Sequence, residues 1–246
     1  MKRILFLGET WMKHIIHQKG FDIFTSTHYQ EGHSKLKEIL DKKYEVTYVP
    51  GHRVQYDFPK TQEELMTYDA VVISDVGSNS LLLSDVVFSE GKKELNKCKM
   101  IKEFVLAGKS LLMIGGYYSF SGIEGKARYG MTHINDVLPV DCLPYDDRVE
   151  APEGVIPNIL LPDSELLRGV SKSWPQFFGY NKTRIKKDAV LVAEFNDDPF
   201  LAYRYFGKGK SMAFTTDCSP HWGSNEFLNW ESYDQLWYNI FDFLTE

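Results

Sequence analysis

The side chains best suited to chemistry fall where short apolar runs stop. Glu9 follows residues 3–7, Asp75 follows 70–73, and Gly116-Tyr117-Tyr118-Ser119 follows 111–114. Asp217-Cys218-Ser219-Pro220-His221-Trp222 follows 210–215. Cys218 and His221 form a C-x-x-H pair, and a thiolate beside an imidazole is a nucleophile. Against that, a cysteine commonly serves as a small buried hydrophobe, and Pro220 between the two can aim them apart. Tyr117 and His221 are the candidate acid–base groups. Glu9, Asp75, Gly77, Gly116, Tyr118, Ser119, Asp217 and Trp222 are candidate ligand contacts.

Several other chemistries lack their residues. A serine-hydrolase elbow needs G-x-S-x-G, and neither Ser119 nor Ser121 has both flanking glycines. No phosphate-cradling glycine motif follows a strand, and Gly207-Lys208-Gly209 reads as a hairpin tip. No nucleotide or other cofactor is therefore expected. His14, His17, His28 and His33 lie within twenty residues. On a helix, His14 and His17 would share a face and could join Asp22 around zinc, although solvated loop histidines are commoner and no metal is expected. Asp146, Asp147 and Glu150 around Arg148 read as a salt-bridged loop that fastens one segment, or one subunit, to another.

The elements that position these groups follow from the apolar pattern. Residues 3–7, 70–73 and 111–114 are continuous apolar runs, as in strands buried on both faces of a parallel sheet. Residues 44–49 alternate as a further strand ended by Pro50-Gly51. Helices are expected from Ser34, as cap, to about Lys42, with Leu36, Ile39 and Leu40 inward, and over 93–107 up to Gly108. Thr61 and Glu64 resemble a capping box. Residues 11–32, rich in His and aromatics, read as an irregular loop packed over the sheet. Two strands flank the turn 196–199, a hairpin leads into 210–215, and 230–244 form a closing amphipathic helix. Strands alternating with helices define an α/β, flavodoxin-like, doubly wound and mostly parallel sheet with a C-terminal antiparallel hairpin. One domain spanning 1–246 is expected, with the proline-rich segment 137–188 an excursion from the sheet.

Composition narrows the partners. The 246 residues are 43% hydrophobic, which suffices for a substantial core. A formal charge of −6 argues against a general nucleic-acid binder, which needs a basic face. No run approaches the ~20 apolar residues of a membrane span. The basic-then-apolar start is too short for a signal peptide. Cys98, Cys142 and Cys218 are too widely spaced for a disulfide framework. A cytoplasmic protein with reduced thiols is expected.

Six stretches together resemble a known family: 7–11, 19–22, 74–79, 113–120, 146–150 and 217–222. They resemble the cytoplasmic, ThuA-related branch of the class I glutamine amidotransferase-like superfamily that lacks the catalytic cysteine. The resemblance covers essentially the whole chain. It implies a flavodoxin-like sheet, with Asp75-Val76-Gly77 where the superfamily forms its oxyanion loop. It does not carry the amidotransferase reaction over. Where working members have G-x-C-x-G, this chain has Gly115-Gly116-Tyr117-Tyr118-Ser119, with Tyr117 at the nucleophile position. No Glu stands two residues after His221. A phenol with a pKa near ~10 is a poor substitute for a thiolate. The expectation is a protein without glutaminase activity that binds, and can transform, a small polar metabolite such as a sugar derivative, with Tyr117, His221 and Glu9 lining one crevice. The alternatives are a non-catalytic, homo-oligomeric assembly module and a Cys218–His221 hydrolase.

Overall fold

The computed structural model describes residues 1–246. Fourteen strands occur in chain order. They are β1 (Arg3–Gly8), β2 (Thr10–Lys19), β3 (Asp22–Glu31), β4 (Glu45–Val49), β5 (Ala70–Ser74), β6 (Ser110–Ile114) and β7 (Val140–Cys142). The remainder are β8 (Arg148–Val155), β9 (Asn158–Ile159), β10 (Phe177–Asn181), β11 (Thr183–Ile185), β12 (Val190–Phe195), β13 (Asp198–Phe206) and β14 (Gly209–Phe214). Eight make the central sheet in the order β4-β1-β5-β6-β14-β13-β12-β9. From β4 to β14 neighbours run parallel, and from β14 to β9 they alternate antiparallel.

Burial of both faces accounts for the continuous apolar runs. Ile4, Phe6, Val72, Leu112 and Ile114 face helices Ser34–Asp41 and Tyr233–Thr245, together with Leu36, Leu40, Trp237 and Phe241. Leu5, Leu7, Val71, Ile73, Leu111 and Met113 face the other way, onto Leu65, Ile101, Phe104 and Val137 from helices Gln62–Met66, Lys97–Leu106 and His133–Val137. Each such side chain contributes ~1.5–3 kcal/mol of burial. A strand between two layers therefore has no polar face to show.

Several local expectations hold. Leu36, Ile39 and Leu40 are buried, Gly108 has φ +110° just past the helix ending at Leu106, and Thr61 Oγ1 accepts from Glu64 N at 3.2 Å. Two are corrected. Ser34 is the first helical residue rather than the cap, which is His33 and makes no side-chain bond. Residues 11–32 are no irregular loop, because β2 and β3 pair with each other along their whole length in a ribbon joined at Gly20-Phe21. That ribbon pairs with no third strand.

Segment 137–188 builds two small antiparallel pairs, β8 with β10 and β7 with β11, and lends β9 to the edge of the central sheet. The β8–β10 pair carries Arg148 and Glu150 to the carboxyl ends of the parallel strands, where the candidate residues gather.

Candidate functional site at the carboxyl edge of the sheet

Three distinct groups occupy this edge. The first is a buried chamber of acids. Glu9 and Asp217 are almost wholly enclosed, and a ligating atom from each of Glu9, Asp217 and Cys218 lies within 4.8 Å of the other two. The hydroxyls of Ser74 and Ser219 both donate to Glu9, the latter at 2.7 Å. Cys218 Sγ sits 3.9 Å from Glu9 Oε2 and 3.8 Å from Ser74 Oγ. Ser219 N donates to Asp217 Oδ1 at 2.9 Å. Gly32 closes the chamber, since a Cβ there would stand 2.7 Å from both Glu9 Oε1 and Ser219 Oγ. No cation enters these contacts, so burial favours the neutral acids. Burial, reinforced by the Asp75 charge, pushes Glu9 up to about 7. Burial, then Glu9 and Asp75, holds Asp217 well above the usual carboxylate range. The Cys218 thiol is likewise held well above its ordinary value, first by burial.

The second group is the elbow after β6. Gly116, at φ +152°, lies so close to Asp75 that a Cβ would meet its Oδ1 at 2.8 Å. Asp75 Oδ1 accepts from Tyr118 N at 2.7 Å, and the Tyr117 N–H also lies near enough to favour this carboxylate. The backbone donor that follows the elbow position is thus filled from within the chain. Asp75 is still raised by burial, which outweighs those two donors. Asp75 N donates to Ser119 Oγ at 3.1 Å, and Ser119 Oγ donates to Ile114 O at 2.5 Å. A cleft of about 290 Å³ opens here, and Asp75, Gly77 and Tyr118 share its wall with Trp11, His52 and Ser80.

The third group is aromatic and charged. Tyr117 OH donates to Glu150 Oε1 at 2.9 Å, and Trp222 Nε1 donates to Glu150 Oε2 at 3.0 Å. Arg148 lies over the Tyr117 ring at 4.7 Å and pairs with Asp146 at 2.8 Å. His221 meets the Tyr117 ring edge-on at 4.5 Å and stacks on Trp222 at 5.3 Å. Burial, and then the bond to Glu150, raises the Tyr117 phenol, while burial lowers His221. Asp147 anchors this group from below, accepting from Ser121 N, Gly122 N and Asn181 Nδ2, each at 2.8 Å. Burial nonetheless pushes Asp147 up to about 6. Asn181 Oδ1 in turn accepts from Gly116 N at 2.9 Å, which ties the third group to the elbow.

The backbone is strained where these groups meet. Glu9 (φ 53°) and Asp75 (φ 45°) adopt left-handed conformations at the ends of β1 and β5, and His221 (φ 143°) is also positive. Such conformations cost ~1–3 kcal/mol each and cluster at functional sites.

This geometry redistributes the expected residues. Asp75, Gly77 and Tyr118 line the cleft. Tyr117 and His221 touch each other but turn toward Glu150 and Trp222, and Glu9 is sealed in its chamber, so these three line no common crevice. Gly116, Ser119, Asp217 and Trp222 are buried and shape the edge from beneath, with Trp222 fully enclosed and offering no platform. Cys218 and His221 do not pair, because the thiol bonds inward to Glu9 and Ser74 while the imidazole packs outward on two rings. His14 and His17 stand on β2, three positions apart and so on opposite faces of the ribbon; they bond Thr27 and Ser26, and His33 stacks on Tyr48 at 3.7 Å. Among metal-type groups only Glu9, Asp217 and Cys218 converge, and Glu9 is already engaged by two hydroxyls. Trp11, His52 and Ser80 went unmarked in the sequence, although His52 directly follows the Pro50-Gly51 that ends a parallel strand. Asn181 carried no signal.

An α/β sheet with its polar groups gathered beyond the parallel strands, an aspartate after β5 and a glycine elbow after β6 defines a class I glutamine amidotransferase-like protein. The chain belongs to the family described as "Putative glutamine amidotransferase", whose model matches residues 3–246. It is 45% identical to the cytoplasmic protein STM3548 of Salmonella typhimurium, covering 99% of both chains at a TM-score of 0.96. It is also 45% identical to the cytoplasmic protein STM1381 of Salmonella typhimurium LT2, covering 99% of this chain and 100% of that one at 0.95. A ThuA-like protein of Bacteroides uniformis shares the fold at 10% identity and a TM-score of 0.58, over 99% of this chain and 91% of that one. No curated protein matches the chain. No helix is long and apolar enough to cross a membrane.

Proposed function

We propose that this chain is a cytoplasmic, non-glutaminase member of its family that binds a small polar metabolite, of the size and polarity of a sugar derivative, in the cleft beside Asp75. The observation that carries the reading is the cleft itself. About 290 Å³ falls just below the ~300–1,000 Å³ typical of ligand sites, which suits only a small ligand of a few polar groups. Its wall pairs aromatic surface (Trp11, Tyr118) with polar groups (Asp75, His52, Ser80). The N–H groups of Val76 and Gly77 donate to no other group of the chain, and both residues line the cleft. Asp75, whose proton affinity burial raises above that of an ordinary aspartate, is the carboxyl placed to hydrogen-bond a ligand and to exchange a proton if the ligand is transformed.

Glutamine hydrolysis has no support at the same edge. Tyr117 stands at the nucleophile position with a phenol raised above its ordinary value. The Tyr118 N–H, which an oxyanion would need, is engaged by the Asp75 carboxyl instead.

Calorimetric titration with a panel of monosaccharides, sugar acids and amino sugars tests the reading, run beside a glutaminase assay. At least one member of the panel should bind to wild type and lose ten-fold or more in affinity to Asp75→Ala. Glutamine turnover above background, or a panel ligand whose affinity ignores Asp75→Ala, contradicts the reading.

A further inference from the structure

Beyond its base, where Thr10 is buried and Tyr29 meets His52, the β2–β3 ribbon has no cover within its own chain. Its strands are ten residues each, about 33 Å long at ~3.3 Å per residue, and pair only with each other. An isolated two-stranded ribbon is marginal in water, and three or more strands with a covered apolar face are needed for independent stability. Yet Met12, Ile15, Ile16, Phe21, Ile23, Phe24 and Tyr29 are all exposed on it, Ile16 at 72% and Ile23 at 65%. None of the seven belongs to either buried core. The pairing sets Met12 opposite Tyr29, Ile16 opposite Thr25 and Gln18 opposite Ile23, so the apolar groups of one face run from the base toward the tip at Phe21. The register puts Met12, Ile16, Ile23 and Tyr29 on one face, Ile15 and Phe24 on the other and Phe21 at the tip, so the ribbon shows apolar groups on both faces.

We propose that this ribbon is an arm that packs on a second copy of the same chain. Charge favours that occupant. Lys13 and Lys19 balance Asp22 and Glu31 on the ribbon, while the whole chain carries −6. A neutral apolar arm has nothing to steer it to a nucleic acid, an anionic membrane or a charged peptide. Two identical arms related by a two-fold axis form a self-complementary contact, and packed face to face each covers the apolar face that the other leaves open. The arm also bears on the cleft, because its first residues, Thr10, Trp11 and Met12, line it. Assembly therefore fixes one wall of the cleft. The inference does not rest on the ligand reading and can fail separately from it.

Sedimentation velocity over a hundred-fold range of concentration tests the proposal, comparing the wild type with Ile16→Lys/Ile23→Lys. The wild type should sediment as a dimer or a larger even assembly, and the variant should shift to the 28.4 kDa monomer with an unchanged circular dichroism spectrum. A wild type that is monomeric throughout overturns the proposal, as does a variant that keeps the wild-type mass. Should the variant fail to fold, amide hydrogen exchange on the wild type decides. Exchange over residues 11–31 slows as concentration rises if the arms pack together, and a rate independent of concentration overturns the proposal.

Discussion

Three buried or half-buried acids and a pair of acids around an arginine share one edge of one sheet under opposite electrostatic conditions. Glu9 and Asp217 are enclosed and Asp75 borders the cleft, with no arginine or lysine among their hydrogen-bond partners, and burial raises all three. Asp146 and Glu150 sit around Arg148 near the surface, and the Arg148 guanidinium holds Asp146 well below the usual carboxylate range. Asp147 stands between the regimes, buried like the first set but fed by three donors, at about 6. Residue type is the same throughout. What differs is whether a cation or a hydrogen-bond donor replaces the lost water. This edge thus holds two things, a chamber of buried acids behind a cleft and an ionised clasp around Arg148 outside the elbow.

Removing Asp147 should have the largest effect on this contrast. Asp147→Ala leaves two backbone N–H groups and the Asn181 amide buried without an acceptor, at ~1–3 kcal/mol for each unsatisfied group. A loss of about 3–5 kcal/mol is expected, seen as a fall of roughly 10 °C in thermal denaturation at ~2–4 °C per kcal/mol. Asp147→Asn should recover part of it.

The chamber should make stability fall as pH rises. Folded Glu9 keeps its proton up to about 7, whereas unfolded Glu9 releases it near 4.5. Between those values the unfolded chain binds fewer protons, so ionisation favours unfolding. The contribution is on the order of 3 kcal/mol, present below pH 4.5 and lost by about pH 7. Urea denaturation at intervals across that range should show the decline, and Glu9→Gln should remove its share of the slope.

Breaking the clasp should cost least. Arg148→Ala removes part-exposed ion pairs worth ~0–1 kcal/mol. The melting temperature should barely move, while Asp146 returns toward its ordinary titration range in carboxyl-detected NMR.

The legible parts of this molecule are those where burial alone decides. Residues 70–73 and 111–114 could be read as central strands because both of their faces are covered, and Leu36, Ile39 and Leu40 could be read as one helix face. The arm escaped that logic. Its Lys, His and Thr interleave with Ile and Phe, and beyond its base nothing in the chain covers it, so no clean one-sided pattern arises. The usable signals were the β-branched residues at 15, 16, 23, 25 and 27 and the two-residue Gly20-Phe21 turn. The site was legible only as a set of strand ends. Glu9 and Asp75 both end strands and both take left-handed backbone, yet one is sealed and the other borders the cleft. That difference depends on Gly32 and Ser219 closing over Glu9, and on Trp11, His52 and Ser80 arriving beside Asp75 from three separate segments.

The central claim is that this edge holds a chamber of buried acids behind a cleft. The most direct test is a carboxyl-carbon NMR titration of Glu9 in the folded protein, assigned with Glu9→Gln. The account predicts a midpoint near 7 that falls when Asp75→Asn removes the neighbouring charge. A midpoint near ~4.3, the value of a solvated glutamate, would contradict it.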